Sequence, residues 1–264
     1  MAADKKNDIK QVGERHFLED SGFIIRRAPL TIDRGISVIV YANPGVGKTT
    51  LCAGLPPDET LIINCEAGIG PLLGTGHWIM DFHEANKNGD IPETIGLIMK
   101  AIRDNSNTIK YVVVDNISLL LIMALVESTS KKSKVQPEKS EYGENAFRAH
   151  EWINQLRDLT FLGVNVIMTA WENSVELARN DGVVITTTVP MIGKRTAYTS
   201  AGIFDVCAHL EIEPSTQTRW LRVKPSDQCL TKCQFYWVED QKPADLLQLF
   251  KIINNGKEQQ NGNT

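Results

Sequence analysis

Ile36-Ser37-Val38-Ile39-Val40-Tyr41-Ala42-Asn43-Pro44-Gly45-Val46-Gly47-Lys48-Thr49-Thr50 is the stretch that decides how this chain is read. An apolar, β-branched run suited to a buried strand passes into a glycine-containing turn and then into helix-compatible sequence. Gly45 and Gly47 let the backbone bend so that successive N–H groups face inward as an anion cradle. Asn43, Pro44, Gly45, Val46, Gly47, Lys48, Thr49 and Thr50 together fit a phosphate-binding loop. Lys48 can reach β- and γ-phosphates, and the Thr49 hydroxyl can complete the shell of a Mg²⁺ ion. A helix starting near Lys48 adds its positive dipole end to the same place. Ala42 stands where the pattern usually has glycine, and alanine serves there if its φ stays negative. A chance glycine turn followed by Lys-Thr is the bland alternative, and the strand before and helix after argue against it. The stretch implies a bound nucleoside triphosphate.

Composition sets the outer limits. The 264 residues suffice for one large core, and 42% apolar with 23% charged content describes an ordinary globular protein. No apolar run approaches the roughly 20 residues needed to span a bilayer. Met1-Ala2-Ala3-Asp4-Lys5-Lys6 leads into polar sequence instead of a signal-peptide core, so a cytoplasmic location without membrane contact is expected. The five cysteines are odd in number and scattered, as suits a reducing compartment. Cys229 and Cys233 are close in sequence, but no histidine accompanies them at zinc-ligand spacing. A net charge of −4 is not that of a strongly basic nucleic-acid binder, so any DNA contact needs a local patch.

Strand and helix patterns then alternate as they do in a parallel sheet covered on both faces. Thr60 to Glu66 reads as a second strand, Ile91 to Asp104 as a helix, Tyr111 to Asp115 as a β-branched strand, and Ile117 to Val126 as an apolar helix. Glu127 to Tyr142 is polar and lysine-rich and reads as a long loop, with helix resuming over Gly143 to Thr160 and a central strand over Val164 to Ala170. Val175 to Ala178 and Val183 to Thr187 flank an Asp-Gly turn and predict a hairpin; Cys207 to Glu213 with Arg219 to Val223 predicts a second. Both are expected to extend the sheet edge. Ala244 to Ile253 is amphipathic, and the tail after it is rich in Asn, Gln and Gly, a disordered composition. The expected division is an N-terminal extension over 1–30, one ATPase domain over 31–254 and a tail over 255–264.

Two carboxylates complete the candidate site. Asp115 ends an apolar strand, at the sheet edge where α/β folds bind ligands. It can cap the following helix, but together with the phosphate loop it is expected to support Mg²⁺ alongside Thr49. Hydrolysis also needs a group that activates water. Many such ATPases place a glutamate directly after the strand-end aspartate; here that residue is Asn116. Glu66, ending the neighbouring strand, is the favoured base, with a surface glutamate in a loop as the alternative.

The order of phosphate loop, strand-end Glu66, strand-end Asp115 without an adjacent glutamate, and Thr169-Ala170 closing a further strand resembles the RecA-type ATPase core. More narrowly, Ala42 to Thr50, Cys65-Glu66-Ala67-Gly68, Val112 to Asn116 and Pro190-Met191-Ile192-Gly193-Lys194 resemble the short phage-encoded RecA-like ATPases that accompany single-strand annealing and recombination. That resemblance implies an α/β P-loop core with a mostly parallel twisted sheet, helices on both faces and antiparallel hairpins at the C-terminal edge. It implies ATP and Mg²⁺ as cofactors, single-stranded DNA as a partner and stimulant, and a ring or filament of identical subunits in the host cytoplasm. A phage single-stranded-DNA-binding protein or a helicase is a further implied partner. Thr169 to Glu172 falls where the family places a γ-phosphate sensor, usually Gln or His. Glu127 to Tyr142 and Asn173 to Pro190 fall where it places DNA-contacting loops, so Lys131, Lys132, Lys134 and Arg179 either contact phosphates or are simply solvated. Lys194, counted with Glu66 and Lys48 among the catalytic candidates, and Arg195 resemble basic groups that reach a neighbouring subunit's γ-phosphate. His209 reads as a packed histidine, and Trp171 and Trp220 as packing residues before base-stacking ones. Two other functions fit the same residues: an ATP-dependent loader or motor for a helicase or other protein, and a nucleotide-dependent DNA-binding switch with little turnover.

Overall fold

In the computed structural model of the protein, residues 16–17, 24–25, 34–66, 68–132, 136–178, 182 and 184–256 are described. The chain divides into two units, one comprising Met1–Asp33 with Asn254–Thr264 and the other Arg34–Ile253. In the first, β1 (His16–Phe17) and β2 (Ile24–Ile25) pair antiparallel.

The second unit is built on strands that bury both faces, which is why they read as unbroken apolar runs instead of alternating ones. All six residues of β3 (Ser37–Ala42) are buried. The phosphate-loop candidate follows it and opens α1 (Lys48–Cys52). Next come β4 (Thr60–Asn64), β5 (Trp78–Asp81), the short α2 (Phe82–Ala85) and α3 (Ile91–Asp104). Helix α3 begins where Asp90 accepts a hydrogen bond from the Glu93 N–H, and Ile91, Ile95, Ile98, Met99 and Ile102 form its buried stripe. Strand β6 (Tyr111–Asp115) leads into α4 (Ile117–Lys131), then α5 (Lys139–Asp158), β7 (Asn165–Ala178) and β8 (Val184–Pro190). The chain continues through α6 (Lys194–Ile203), β9 (Val206–Ile212), β10 (Arg219–Arg222), β11 (Lys232–Cys233) and α7 (Leu246–Asn255).

The strand order is β10-β9-β3-β7-β6-β4-β5, parallel from β9 through to β5, with β10 antiparallel at one edge. One sheet face sends Ile39, Tyr41, Val112, Val114, Val166 and Met168 into a core shared with Ile98, Leu120, Ile153 and Ala197 of α3 to α6. On β6, Tyr111 meets Phe250 of α7 with ring centroids 5.6 Å apart. No helix of the described residues is long and apolar enough to cross a membrane.

The mostly parallel α/β sheet is the expected one, with three corrections. The segment read as a loop over Glu127 to Tyr142 is largely helical, because α4 runs on to Lys131 and α5 begins at Lys139. Its polar side chains are satisfied in place: Lys131 reaches Glu127 one turn back at 3.0 Å, Glu127 also takes the Ile91 N–H, and Glu138 and Glu141 form a capping box. Second, β9 is not an edge strand; it lies beside β3 inside the sheet, and only β10 of that hairpin is peripheral. Third, β5 forms the opposite edge, a strand of only four residues that was not read from the sequence. The other predicted hairpin is present as the antiparallel pairing of Glu172–Ala178 with Val184–Pro190, and its β7 arm is an unbroken continuation of the central strand. Lys134 and Arg179, two of the candidate phosphate contacts, and the tail from residue 257 lie outside the described residues.

Candidate functional site

The sheet register brings the ends of β3, β4 and β6 together beside the middle of β7. Asp115 of β6 is paired with Asn64 of β4, Val114 with Met168 of β7, and Ala42 of β3 with Trp171 of β7. Every group that follows these ends therefore faces one edge of the sheet.

Residues 43–47 turn away from β3, with Asn43, Pro44 and Gly45 exposed. Gly45 and Gly47 have φ of 83° and 105°, values that a side chain resists. The Leu51 N–H donates to the Gly47 carbonyl at 2.9 Å, so α1 grows directly out of the loop. Ala42 is a fully buried strand residue and is not among the positive-φ positions, which is why alanine serves where glycine is usual. Lys48 is buried, and its Nζ donates to the carbonyls of Ala42 at 3.0 Å and Asn43 at 3.1 Å. Burial pulls its pKa below the ordinary lysine value, against the opposing pull of Glu66, Asp115 and Glu172.

Asp115 is buried and accepts the Thr49 hydroxyl on Oδ2 at 2.6 Å and the Thr169 hydroxyl on Oδ1. Glu66 lies next to it. Its Oε1 accepts both the Trp171 indole N–H, at 3.0 Å, and the Asn116 side-chain amide. Burial raises the Glu66 pKa and the Asp115 charge raises it further, while Lys48 and the Trp171 hydrogen bond oppose them. Asn116 also accepts the Leu119 N–H at 2.7 Å, so it caps α4 while donating to Glu66. The Asp115–Asn116 peptide bond is cis.

Of the predicted residues, Lys48, Thr49, Asp115 and Glu66 thus come together. Thr169, in the segment matched to a sensor, holds Asp115 instead of standing free. Glu172, from the same segment, accepts the Asn43 amide and the His209 ring at 2.9 Å, so His209 is tied to the loop as well as packed on Tyr41. Lys194 opens α6 after β8, and the side chains of Lys194 and Arg195 lie outside what is described. Lys131 is paired with Glu127 and Asp90, and Lys132 with Glu144 and Glu141. Trp220 is occupied by Arg222 at 4.1 Å and Lys242 at 5.5 Å from its ring.

One neighbour of the loop was not foreseen. Arg219 of β10 donates from Nε to the Val46 carbonyl at 2.9 Å, and a Cβ added to Gly47 would lie 2.3 Å from the same nitrogen. Glycine at 47 therefore admits a guanidinium as well as a positive φ. A linear motif carries no sign of this, because the two partners are 173 positions apart.

The oxygen donors fit Mg²⁺, which takes one or two carboxylates plus hydroxyl, water and phosphate oxygens instead of an all-protein cage. No group of three or more His, Cys, Asp or Glu that could hold a metal ion occurs among the described residues. The glycine loop and helix start fit phosphate, since a Cβ at Gly45 would meet nothing within 4 Å and the turn is open there. A family model described as an AAA domain matches residues 34–235. No curated protein matches the chain.

Proposed function

Because the chain belongs to the AAA-domain family, whose P-loop core marks a nucleotide-binding ATPase, we propose that it hydrolyses ATP at this sheet edge and couples turnover to single-stranded DNA. The observation that carries the hydrolytic half is the Thr49–Asp115 hydrogen bond at 2.6 Å beside the Glu66 carboxylate. A hydroxyl and two carboxylates beside one phosphate loop support reading Asp115 as metal support and Glu66 as the base.

In this reading, residues 43–50 hold the phosphates through backbone N–H groups, and Lys48 exchanges its two carbonyl partners for phosphate oxygens. Thr49 and Asp115 would hold Mg²⁺, which would supply positive charge to the phosphates. Glu66 accepts the proton of the attacking water, and burial with the Asp115 charge makes it a stronger base than an ordinary glutamate. Lys194 acts across a subunit contact in a ring or filament of identical chains.

The DNA half rests on the RecA-like order of motifs, and with it the roles in phage recombination or replication. The test is ATP turnover with and without single-stranded DNA, beside a mobility shift over a salt series. Stimulation, with affinity that falls as salt rises, is expected. A chain that neither binds the DNA nor is stimulated by it sinks this half and leaves the hydrolytic half standing. One observation favours a second reading, a loader or motor for a partner protein. Lys131 and Lys132 are already in ion pairs, while Leu73, Trp78, Phe147 and Phe161 are exposed.

A further inference from the structure

We propose that Trp171 is a positioning residue for Glu66: its indole N–H fixes one carboxylate oxygen so that the other faces the reacting water. The inference rests on Glu66 being the base assigned above.

Both described donors to Glu66 converge on Oε1, the Trp171 indole at 3.0 Å and the Asn116 amide beside it. Among the described residues Oε2 has no hydrogen-bond partner, and Glu66 is only half buried. Two donors on one oxygen hold charge there and leave the second oxygen as the place where a proton can be accepted. An indole N–H only donates. Trp171 therefore cannot take up the proton itself, and it favours the ionised carboxylate that a base needs.

The Trp171 backbone is held from three directions. Its backbone N–H donates to the Ser118 hydroxyl at 3.0 Å, at the start of α4. Its carbonyl accepts the Met191 N–H at 2.7 Å, just beyond β8. Its backbone lies in register with Ala42, the residue before the phosphate loop. Trp171 thus refers the carboxylate to the loop, to the helix that follows Asp115, and to the segment leading to Lys194. Packing alone does not require a nitrogen directed at a carboxylate.

The test compares the full-length protein with its Trp171→Phe, Glu66→Gln and double variants. It measures kcat, KM, affinity for a non-hydrolysable ATP analogue with Mg²⁺, and melting temperature. Trp171→Phe keeps an aromatic ring and removes the donor. It is expected to lower kcat by roughly tenfold, the size of one hydrogen bond to a charged group, with analogue affinity and melting temperature held. The acid limb of its pH profile should move to higher pH, because a donor favouring the ionised form is gone. In the Glu66→Gln background the same substitution should cost nothing further. If Trp171→Phe weakens analogue binding or melting as much as turnover, or still costs tenfold without Glu66, Trp171 does not act through this carboxylate. Normal kcat in Trp171→Phe with loss in Glu66→Gln removes the positioning role and keeps the base. Full turnover in Glu66→Gln removes both.

Discussion

Replacing Gly47 with alanine tests the phosphate loop where its backbone and its unforeseen neighbour meet. A non-glycine residue at φ of 105° carries strain of about 1–2 kcal/mol. The new Cβ would also lie 2.3 Å from Nε and 2.8 Å from Cζ and Nη2 of Arg219, so the guanidinium must leave and give up its 2.9 Å bond to the Val46 carbonyl. That bond contributes about 1 kcal/mol. Without nucleotide the altered loop can relax; binding requires it to return, so the sum of about 2–3 kcal/mol appears as affinity. ATP-analogue binding should weaken roughly 30- to 150-fold, read by equilibrium titration of a fluorescent analogue. Gly45→Ala is the internal reference, since its φ of 83° carries the same strain but its Cβ meets nothing within 4 Å. It should be about fivefold milder than Gly47→Ala. Arg219→Ala alone should cost about fivefold, and almost nothing once Gly47 is alanine, a coupling of about 1 kcal/mol. Equal losses at both glycines, with Arg219→Ala adding in full, would refute the argument.

Three further outcomes follow from the same geometry. Asp115→Asn should leave ATP affinity in EDTA as it was and reduce the gain on adding Mg²⁺ by about tenfold, since the amide nitrogen opposes a hydroxyl that the carboxylate accepts; an undiminished gain in titrations with and without metal argues against Asp115 as metal support. Turnover should rise with pH along a limb lying above the ordinary glutamate value of about 4.3, because burial and Asp115 raise the Glu66 pKa and only the ionised form accepts a proton; a kcat profile flat through that region contradicts the assignment. Asp205→Ala should lower the melting temperature on the order of 5 °C, from about 1–3 kcal/mol, by removing the acceptor of the buried Ser37 N–H and hydroxyl. Burial pushes the Asp205 pKa up, but the hydrogen bonds from Arg34 and Ser37 outweigh it and hold the carboxyl below its ordinary value. Its contribution is therefore present above the unfolded pKa of about 3.9 and lost as pH falls through the lower folded one, so melts of the two proteins should converge in strong acid.

The sheet was legible where burial on both faces makes composition speak for itself. Val38 to Ala42, Val112 to Val114 and Val166 to Met168 are apolar without a break, and each is a central strand. Helix α3 was legible to its last residue, because its apolar positions sit on one stripe and Asp90 and Pro92 mark its start. The end of α4 and the start of α5 were hidden by polarity. Glu127, Lys131 and Lys132 find charged partners on helical surface, and a one-dimensional reading takes such residues for loop. β5 was hidden for a different reason: it is a largely exposed edge of four residues, whose short Trp78-Ile79-Met80 run does not stand out as the long buried strands do.

For the site, what sequence could show and what it could not divide at the same physical line. Lys48 and Thr49 are set by a local turn, so their order in the chain is their order in space. Asp115 and Glu66 end strands, and a parallel sheet carries strand ends to one edge whatever lies between them. The groups that orient these four obey no such rule. Thr169 and Trp171 are two residues apart on β7, so they share one face of the strand; Thr169 reaches Asp115 and Trp171 reaches Glu66. That pairing depends on β7 lying between β3 and β6, and this adjacency is a property of the strand order, not of any motif. Arg219 is further still from local sequence, since it meets Val46 only because β10 pairs with β9 and β9 with β3. A phosphate loop can therefore be read from fifteen consecutive residues, while the partners that hold its carboxylates and its glycine become visible only when the order of strands is known.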